Sequence, residues 1–468
     1  MKLESIVGKT QQHSLMGLAK RAAPYADKSA TAAPATTLRA LDSRGISQLD
    51  RSAVKEVAKF NSNVLAKSPD LLKMKYSRMS VNAFTFLRGA DHLMYHDLQR
   101  IEGKSMDKGP KTLLQGDMHL ANFGSMSRPD GKMFMALNDF DEAYVGPAKL
   151  DLKRLATSVV LAGKEAGFAP SQTRQFVADF AGTYYDALQA QSTNPQSLGD
   201  IKAPADVEKT LETAKKSNIQ DLLAKKTETR NGKLAFKMSD TTLPVSDKVT
   251  GDVKKAFEGY RSKLPGPVAK ELAPYQISDI ASDVMGTGSV GRARYHLLLT
   301  ASGKPSMILE MKEEVPSAMA PYVKTPNVFG AQANRDLLTS YAMDGRLDPF
   351  FGRVKMPKRD ALQSSSFLVR QIPLDRTAID PTTVKDAGKF SDLVKYYAKE
   401  VAISHSSGDK AGLSGAKEIL ASLGPKADFS SELVNFGHQY AQQVQRDFKS
   451  FASALAKDPL LEKAALHG

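Results

Sequence analysis

The chain has 468 residues, 41% hydrophobic and 25% charged, with a formal net charge of +14. That is a globular balance with material for roughly two or three cores, and the absence of any run of eighteen apolar residues argues against a membrane-spanning helix. Zero cysteines exclude disulfides, thiolate catalysis and cysteine metal sites, while the excess of Lys and Arg favours anionic partners such as nucleotide phosphates. No zinc-finger, RNA-recognition or basic-zipper pattern accompanies the basic residues, so nucleic acid is not the expected partner.

Residues 1–48 read as a flexible leader. Arg21 to Thr37 is rich in Ala, Ser, Thr and Pro, and the apolar core of a secretory signal is missing. Residues 49–191 read as the first part of a helical lobe. From about 50 to 105, Phe84, Phe86, Leu87, Leu93, Met94 and Leu98 fall at helical spacing, interrupted at Arg88-Gly89. His92 and His96 lie four apart on this helix without a third ligand, and so read as surface or cleft polar groups rather than a metal site.

The most informative segment is Leu113-Leu114-Gln115-Gly116-Asp117-Met118-His119-Leu120-Ala121-Asn122-Phe123-Gly124, followed by Ala136-Leu137-Asn138-Asp139-Phe140-Asp141-Glu142. Asp117 stands five residues before Asn122, and Asp139 seventeen after it, at the end of a strand expected over Met133–Leu137. One Asp to orient or deprotonate a hydroxyl, with Asn and Asp oxygens to hold Mg²⁺, is the set that phosphoryl transfer needs. Asp141 is the alternative to Asp139 as metal ligand. The bland reading is a pair of Asp/Asn-rich turns.

Helices are expected from Leu150 to Ala166 and from Ser171 to Gln191. Residues 192–277 are polar, lysine-rich and broken by Pro204, Pro244, Pro265 and Pro267, and read as a linker or insert; Glu208 to Lys226 suggests a helix and Lys233 to Lys237 a short strand. Residues 278–375 read as a nucleotide-binding lobe. Gly286-Thr287-Gly288-Ser289-Val290-Gly291 matches G-x-G-x-x-G, which also opens dinucleotide-binding folds. Those folds need a helix next, whereas Arg292 to Thr300 looks like a strand, Ala301 to Pro305 like a turn, and Ser306 to Lys312 like a second strand. A hairpin under a glycine loop, with Lys312 one strand later, suits a kinase-type phosphate cradle of Gly286, Gly288, Ser289, Gly291 and Lys312. The bland reading of Lys312 is a surface residue beside Glu313 and Glu314. A helix is expected from about Val328 to Met343, a buried strand over Phe367–Ile372, and C-terminal helices of the helical lobe over residues 384–468, among them Phe390–His405. His405 reads as a partner of that helix's dipole.

These motifs, with Gly146-Pro147, Asp151-Leu152-Lys153-Arg154-Leu155-Ala156, Phe86-Leu87-Arg88-Gly89 and His405-Ser406-Ser407-Gly408-Asp409, resemble the bacterial family called domain of unknown function 2252, over roughly residues 76 to 445. The resemblance extends to the aminoglycoside and choline phosphotransferases of the protein-kinase-like superfamily. It implies an α+β, two-lobed kinase-like fold with a mainly helical lobe and a small antiparallel-sheet nucleotide lobe. It also implies ATP and Mg²⁺ as cofactors, Asp117 as catalytic Asp, His119 in a structural or acceptor-side role, Asn122 and Asp139 as metal ligands, and Asp151 as the buried support of the catalytic loop. The catalytic loop precedes the glycine loop, the reverse of an ordinary kinase, so the fold would be circularly permuted, with Phe390–His405 packing where the element preceding that loop normally lies and residues far apart in sequence as neighbours.

Two positions depart from the resemblance. Gln115 stands where small-molecule kinases have His, and the helix expected to carry a Glu partner for Lys312 has none, Gln332 being the nearest polar substitute. The expected function is an ATP- and Mg²⁺-dependent phosphotransferase acting on an unidentified hydroxyl-bearing acceptor, in a cytoplasmic bacterial protein or an effector exported by a non-Sec route. A pseudokinase-type binding module and a protein nucleotidyl transferase are the alternatives.

Overall fold

The structure is a computed structural model that describes residues 12, 14–22, 45–46, 49–127, 132–325, 328–330, 332–345, 348–357, 365–372 and 377–457. A helical segment over residues 14–22 buries Leu15, Leu18 and Ala22 in the main core, where a flexible leader is expected from composition. Its apolar residues recur at helical spacing, a signal that the surrounding Ala/Ser/Thr/Pro composition hides. Five helices follow: α1 (Ala53–Phe60), α2 (Ser62–Lys67), α3 (Pro69–Met79), α4 (Ala83–Gly89) and α5 (Asp91–Glu102). Ser52, Ser68 and Asn82 cap α1, α3 and α4 by accepting from the N–H groups of Lys55, Leu71 and Thr85. The break at Gly89 has a steric cause, because a Cβ there would lie 2.4 Å from Met79 Cγ.

Strands β1 (Lys111–Leu114) and β4 (Tyr144–Pro147) pair antiparallel, and β2 (Phe123–Ser127) and β3 (Met133–Leu137) form a second antiparallel pair. Helices α6 (Lys149–Glu165) and α7 (Pro170–Thr193) come next. The single helix expected over Glu208–Lys226 is instead two, α8 (Ala205–Lys215) and α9 (Ile219–Lys226), because Asn218 interrupts and caps the second by accepting from Asp221 N–H. The strand expected at Lys233 is β6 (Lys233–Phe236), paired with β5 (Thr227–Arg230). Asn231 and Gly232 between them have φ of 51° and 73°, as a two-residue hairpin turn requires.

Residues 192–277 carry more tertiary structure than their composition suggests. They supply β7 (Thr242–Pro244), α10 (Asp247–Arg261), α11 (Gly266–Leu272) and the start of β8 (Gln276–Asp283). With β9 (Arg294–Ala301), β10 (Lys304–Glu313), β11 (Gly352–Lys355) and β12 (Ser366–Gln371), these strands make a six-stranded antiparallel sheet in the order β11-β12-β10-β9-β8-β7. Helix α12 (Ala333–Asp344) lies between β10 and β11 in sequence, and α13 (Ala387–Ser406), α14 (Ala416–Leu423) and α15 (Lys426–Lys457) complete the chain.

The protein is thus α+β, mostly helical with one six-stranded antiparallel sheet. Helices α6, α7, α13 and α15 share a large core in which Leu155, Phe180, Tyr184, Tyr397 and Tyr440 are buried. On the sheet, Leu297 and Leu299 of β9 pack with Phe257 and Tyr260 of α10, while Leu298 faces the other side with Ile308 and Phe236. The same two-residue period puts Glu310 and Lys312 on the Ile308 face of β10. Thr112 of β1 donates its hydroxyl to His405 O of α13 at 2.7 Å, so the two segments expected to be neighbours across the chain are in contact. Among the described residues, no helix is long and apolar enough to cross a membrane.

Candidate functional site

Gln115 to Asn122 form the connection from β1 to β2, and the loop is held from behind by buried side chains. The Asp151 carboxylate on α6 accepts from Gln115 N–H at 2.8 Å and from Gly116 N–H at 3.1 Å. Gly116 has φ of +88°, and a Cβ there would sit 1.9 Å from Glu142 O, so only glycine fits. His405 is in the last turn of α13, but its ring is engaged by side chains: Nε2 lies 3.4 Å from Asp151 Oδ2, and Nδ1 lies 3.0 Å from Tyr184 OH. It supports the loop through Asp151, which the dipole reading from sequence does not foresee.

Gln115 compensates for the histidine expected in its place. Its Nε2 donates to Asp139 O at 2.7 Å and Asn138 O at 3.2 Å, and its Oε1 accepts from Asp117 N–H at 2.9 Å. One neutral side chain therefore ties the Asp117 segment to the Asp139 segment. Asn122 donates Nδ2–H to Asp117 O at 2.9 Å, leaving its amide oxygen as the group available to a metal.

Asp117 has a partner that escaped the sequence reading. Buried Arg154, three residues after Asp151 on α6, donates Nε–H to Asp117 Oδ1 at 2.7 Å and also bonds that oxygen through Nη2. Asp117 Oδ2 lies 3.6 Å from His119 Nε2. Burial pushes the His119 imidazole down to about 4, against the pull of Asp117, so the ring is neutral at pH 7. Arg154 stands three residues after Asp151, which puts both on one helix face, but that spacing does not name Asp117 as its partner.

Asp139 has φ of 58° and ψ of 72°, a left-handed conformation that among the described non-glycine residues only Asn231 shares. A strained backbone at a carboxylate whose side chain is 52% exposed is a functional signal. Lys312 Nζ lies 3.7 Å from Asp139 Oδ1 and bonds Asp141 Oδ1 directly. The partner of Lys312 is thus Asp141, and α12 offers no glutamate, as the sequence indicates. Burial opposes ionisation of Asp141, but Lys312 and Arg292 together hold its carboxyl far below the usual carboxylate range. Arg292 donates to Asp141 Oδ2 at 3.1 Å and also bonds Glu142 Oε1.

The glycine loop joins β8 to β9 and folds back onto α3. Lys75 Nζ donates to Gly288 O at 2.9 Å, and Arg78 donates to Gly286 O. Gly286 and Gly291 have φ of +73° and +94°; a Cβ on Gly291 would lie 2.6 Å from Val64 Cγ2. Ser289 donates its hydroxyl to Met285 O at 2.9 Å.

These segments meet at one open cleft. Asp117, His119, Asn122, Asp139 and Asp141 line it on one side, and Gly286, Thr287, Gly288 and Ser289 of the glycine loop on the other. Of the residues singled out from sequence, Lys312, Asp151 and Gly291 do not line it. Lys312 and Asp151 stand behind lining residues, and Gly291 packs on Val64. Phe60, Arg88, Asp91, Glu142 and Arg292, to which the sequence reading gave no role in the site, complete the wall. His92 is buried and stacked on Phe60 at 3.8 Å, so it is neither a surface residue nor a ligand-like pair with His96.

Two oxygen clusters bear on metal binding. Asp139, with its exposed carboxylate, and Asn122 both line the cavity and carry hard oxygen donors of the kind Mg²⁺ takes. Deeper in, oxygens of Asp141, Glu314 and Asp336 lie within 4.8 Å of one another. There the countercharges are already present: Lys312 and Arg292 hold Asp141, Arg335 lies 3.7 Å from Glu314, and Arg370 3.6 Å from Asp336. Burial, with the neighbouring Asp141 and Asp336 charges, pushes the Glu314 carboxyl far up, and both its oxygens and both of Asp336 are buried without a hydrogen bond from a described residue.

A family model matches residues 67–454; its description is an uncharacterized protein conserved in bacteria (DUF2252). No curated protein and no solved structure matches the chain.

Proposed function

We propose that this chain, which belongs to the DUF2252 family of bacterial proteins, is an ATP- and Mg²⁺-dependent phosphotransferase of circularly permuted, kinase-like architecture. The observation that carries the reading is the single cavity in which the Asp117–Asn122 loop and Asp139 face the glycine loop, with Lys312 bonded behind to Asp141. Nothing in local sequence forces segments so far apart to converge on one site.

In this reading the glycine loop takes the phosphates of ATP, and Asn122 and Asp139 hold Mg²⁺, which when bound neutralises phosphate charge. The acceptor hydroxyl oxygen bonds to the γ-phosphorus while the bond to the β–γ bridging oxygen breaks, and ADP leaves. Its proton passes to Asp117 Oδ2, the oxygen that Arg154 leaves free. Neutral His119 beside it orients the hydroxyl without adding charge. The test is calorimetric titration of MgATP into the wild type and Asp139→Ala. Binding that requires Mg²⁺ and is lost in the variant supports the reading; a wild type that binds no nucleotide ends it.

One observation favours a second reading, a nucleotide-binding module without turnover. Arg154 places two donors on one oxygen of Asp117, so half of that carboxylate is already engaged within the protein. Binding of MgATP with no γ-phosphoryl lost to any hydroxyl or to water, followed by ³¹P NMR, would favour that reading.

A further inference from the structure

Arg88, in the last turn of α4, faces the cavity alongside Asp117 and His119. The other cations around the site are engaged. Arg154 holds Asp117, Arg292 holds Asp141 and Glu142, Lys312 holds Asp141, and Lys75 donates to Gly288 O. Arg88 alone among them makes no hydrogen bond or ion pair with a described residue, and its Nε–H is buried without a partner.

Its one intramolecular contact of note is the Phe84 ring, 5.8 Å from the guanidinium carbon. Stacking over a ring uses none of the five N–H donors. Burying an arginine donor unpaired is unfavourable unless something else meets it. The location says what that is. A Cβ on Gly288 would lie 3.4 Å from Arg88 O, so the arginine sits directly beside the glycine loop, while its side chain shares the cavity wall with Asp117. A planar donor fork between a phosphate-cradling loop and an acidic base suits a phosphate group.

We propose that Arg88 receives a phosphate group where the glycine loop meets the catalytic loop: either the γ-phosphoryl of ATP or a phosphate carried by the acceptor. The inference rests on the nucleotide reading above for the identity of the source, and on Arg88 itself for the presence of an anion site.

The experiment titrates MgATP, MgADP and inorganic phosphate, the last into both the free protein and the MgADP complex, using the full chain as wild type, Arg88→Ala and Arg88→Lys. If the γ-phosphoryl is the source, Arg88→Ala lowers ATP affinity about tenfold or more and leaves ADP within about twofold, with partial recovery in Arg88→Lys. If the acceptor is the source, both nucleotides bind unchanged and phosphate no longer saturates the MgADP complex of Arg88→Ala. Unchanged binding of all three probes by a folded Arg88→Ala overturns the proposal. Should the wild type bind no nucleotide, the phosphotransferase reading falls, and phosphate with the free protein decides the anion site: saturable binding lost in Arg88→Ala sustains it, and no binding to the wild type overturns it. If Arg88→Ala does not fold, Arg88→Lys and Arg88→Gln carry the same comparison.

Discussion

Replacing Asp151 with Asn tests whether the Gln115–Asn122 loop is held by a buried carboxylate. Asp151 is fully buried, and its two oxygens accept from Gln115 N–H and Gly116 N–H at 2.8 and 3.1 Å. Asn preserves the shape but offers one oxygen, and turns an NH₂ group toward the other backbone donor. A hydrogen bond to a charged acceptor contributes about 1.5–3 kcal/mol, and leaving a buried N–H unmet costs about 1–3 kcal/mol. The expected destabilisation is therefore about 3–5 kcal/mol, a large share of a total stability of about 5–15 kcal/mol. In urea, with m of about 3 kcal/mol/M, the midpoint should fall by about 1 M or more. His405→Gln should cost less, because it removes a 3.4 Å contact to Asp151 and a 3.0 Å contact to Tyr184 OH but leaves both backbone bonds to Asp151 intact. An Asp151→Asn midpoint within about 0.3 M of the wild type would refute the account of how this loop is held.

Buried His119, pushed down to about 4, binds a proton in the unfolded chain near its ordinary 6.5 but not in the folded one. Between those values the unfolded state holds more protons, so stability rises with pH and is lost as pH falls from about 6.5 toward 4, by up to about 3 kcal/mol. Urea midpoints at pH 7.5 and pH 5 should therefore separate less in His119→Gln than in the wild type, and equal separations would count against the neutral buried imidazole. Gly116→Ala should abolish folding or cost several kcal/mol, since its Cβ would overlap Glu142 O. Gly232→Ala, with φ of +73° and nothing within 4 Å, should cost only about 1 kcal/mol, the difference being read from thermal unfolding. Lys75→Met removes the donor to Gly288 O and should speed amide hydrogen exchange across residues 286–291 while α6 and α7 stay protected.

What the sequence disclosed follows from how local each signal is. Strand β3 at Met133–Leu137 and the β9–β10 hairpin were readable because alternation and turn residues act over a few positions. Asp117, Asn122 and Asp139, singled out on the same short-range spacing, line one cavity. The split of α8 from α9 turned on one capping Asn, a local signal outweighed by the helical pattern around it. The packing of α10 and α11 on the sheet was masked because their buried Val253, Phe257, Tyr260 and Leu272 are diluted by lysines on the opposite faces. Long-range pairs left no trace. Neither Arg154 with Asp117 nor His405 with Asp151 can be read from spacing, since the first joins positions 37 apart and the second 254 apart.

The same limit explains the partner of Lys312. A search for a glutamate on α12 passes over Asp141, which lies far upstream in the segment that also carries Asp139. Arg292 from the end of the glycine loop and Arg335 from α12 reach that segment too, through Asp141 Oδ2 and Asp141 O. Three cations from the sheet half thus hold three residues, Asp139, Asp141 and Glu142, that belong in sequence to the helical half. Buried ion pairs gain little net stability once desolvation is counted, so their consequence here is one of position. The strained Asp139 keeps its conformation only while residues on both sides of the cavity hold its neighbours in place. Loosening Arg292 or Lys312 should therefore move the Asp139 carboxylate before it melts either core. Lys312→Met should weaken Mg²⁺-dependent nucleotide binding with a smaller change in urea midpoint than Asp151→Asn; the reverse order would mean that these pairs serve stability first.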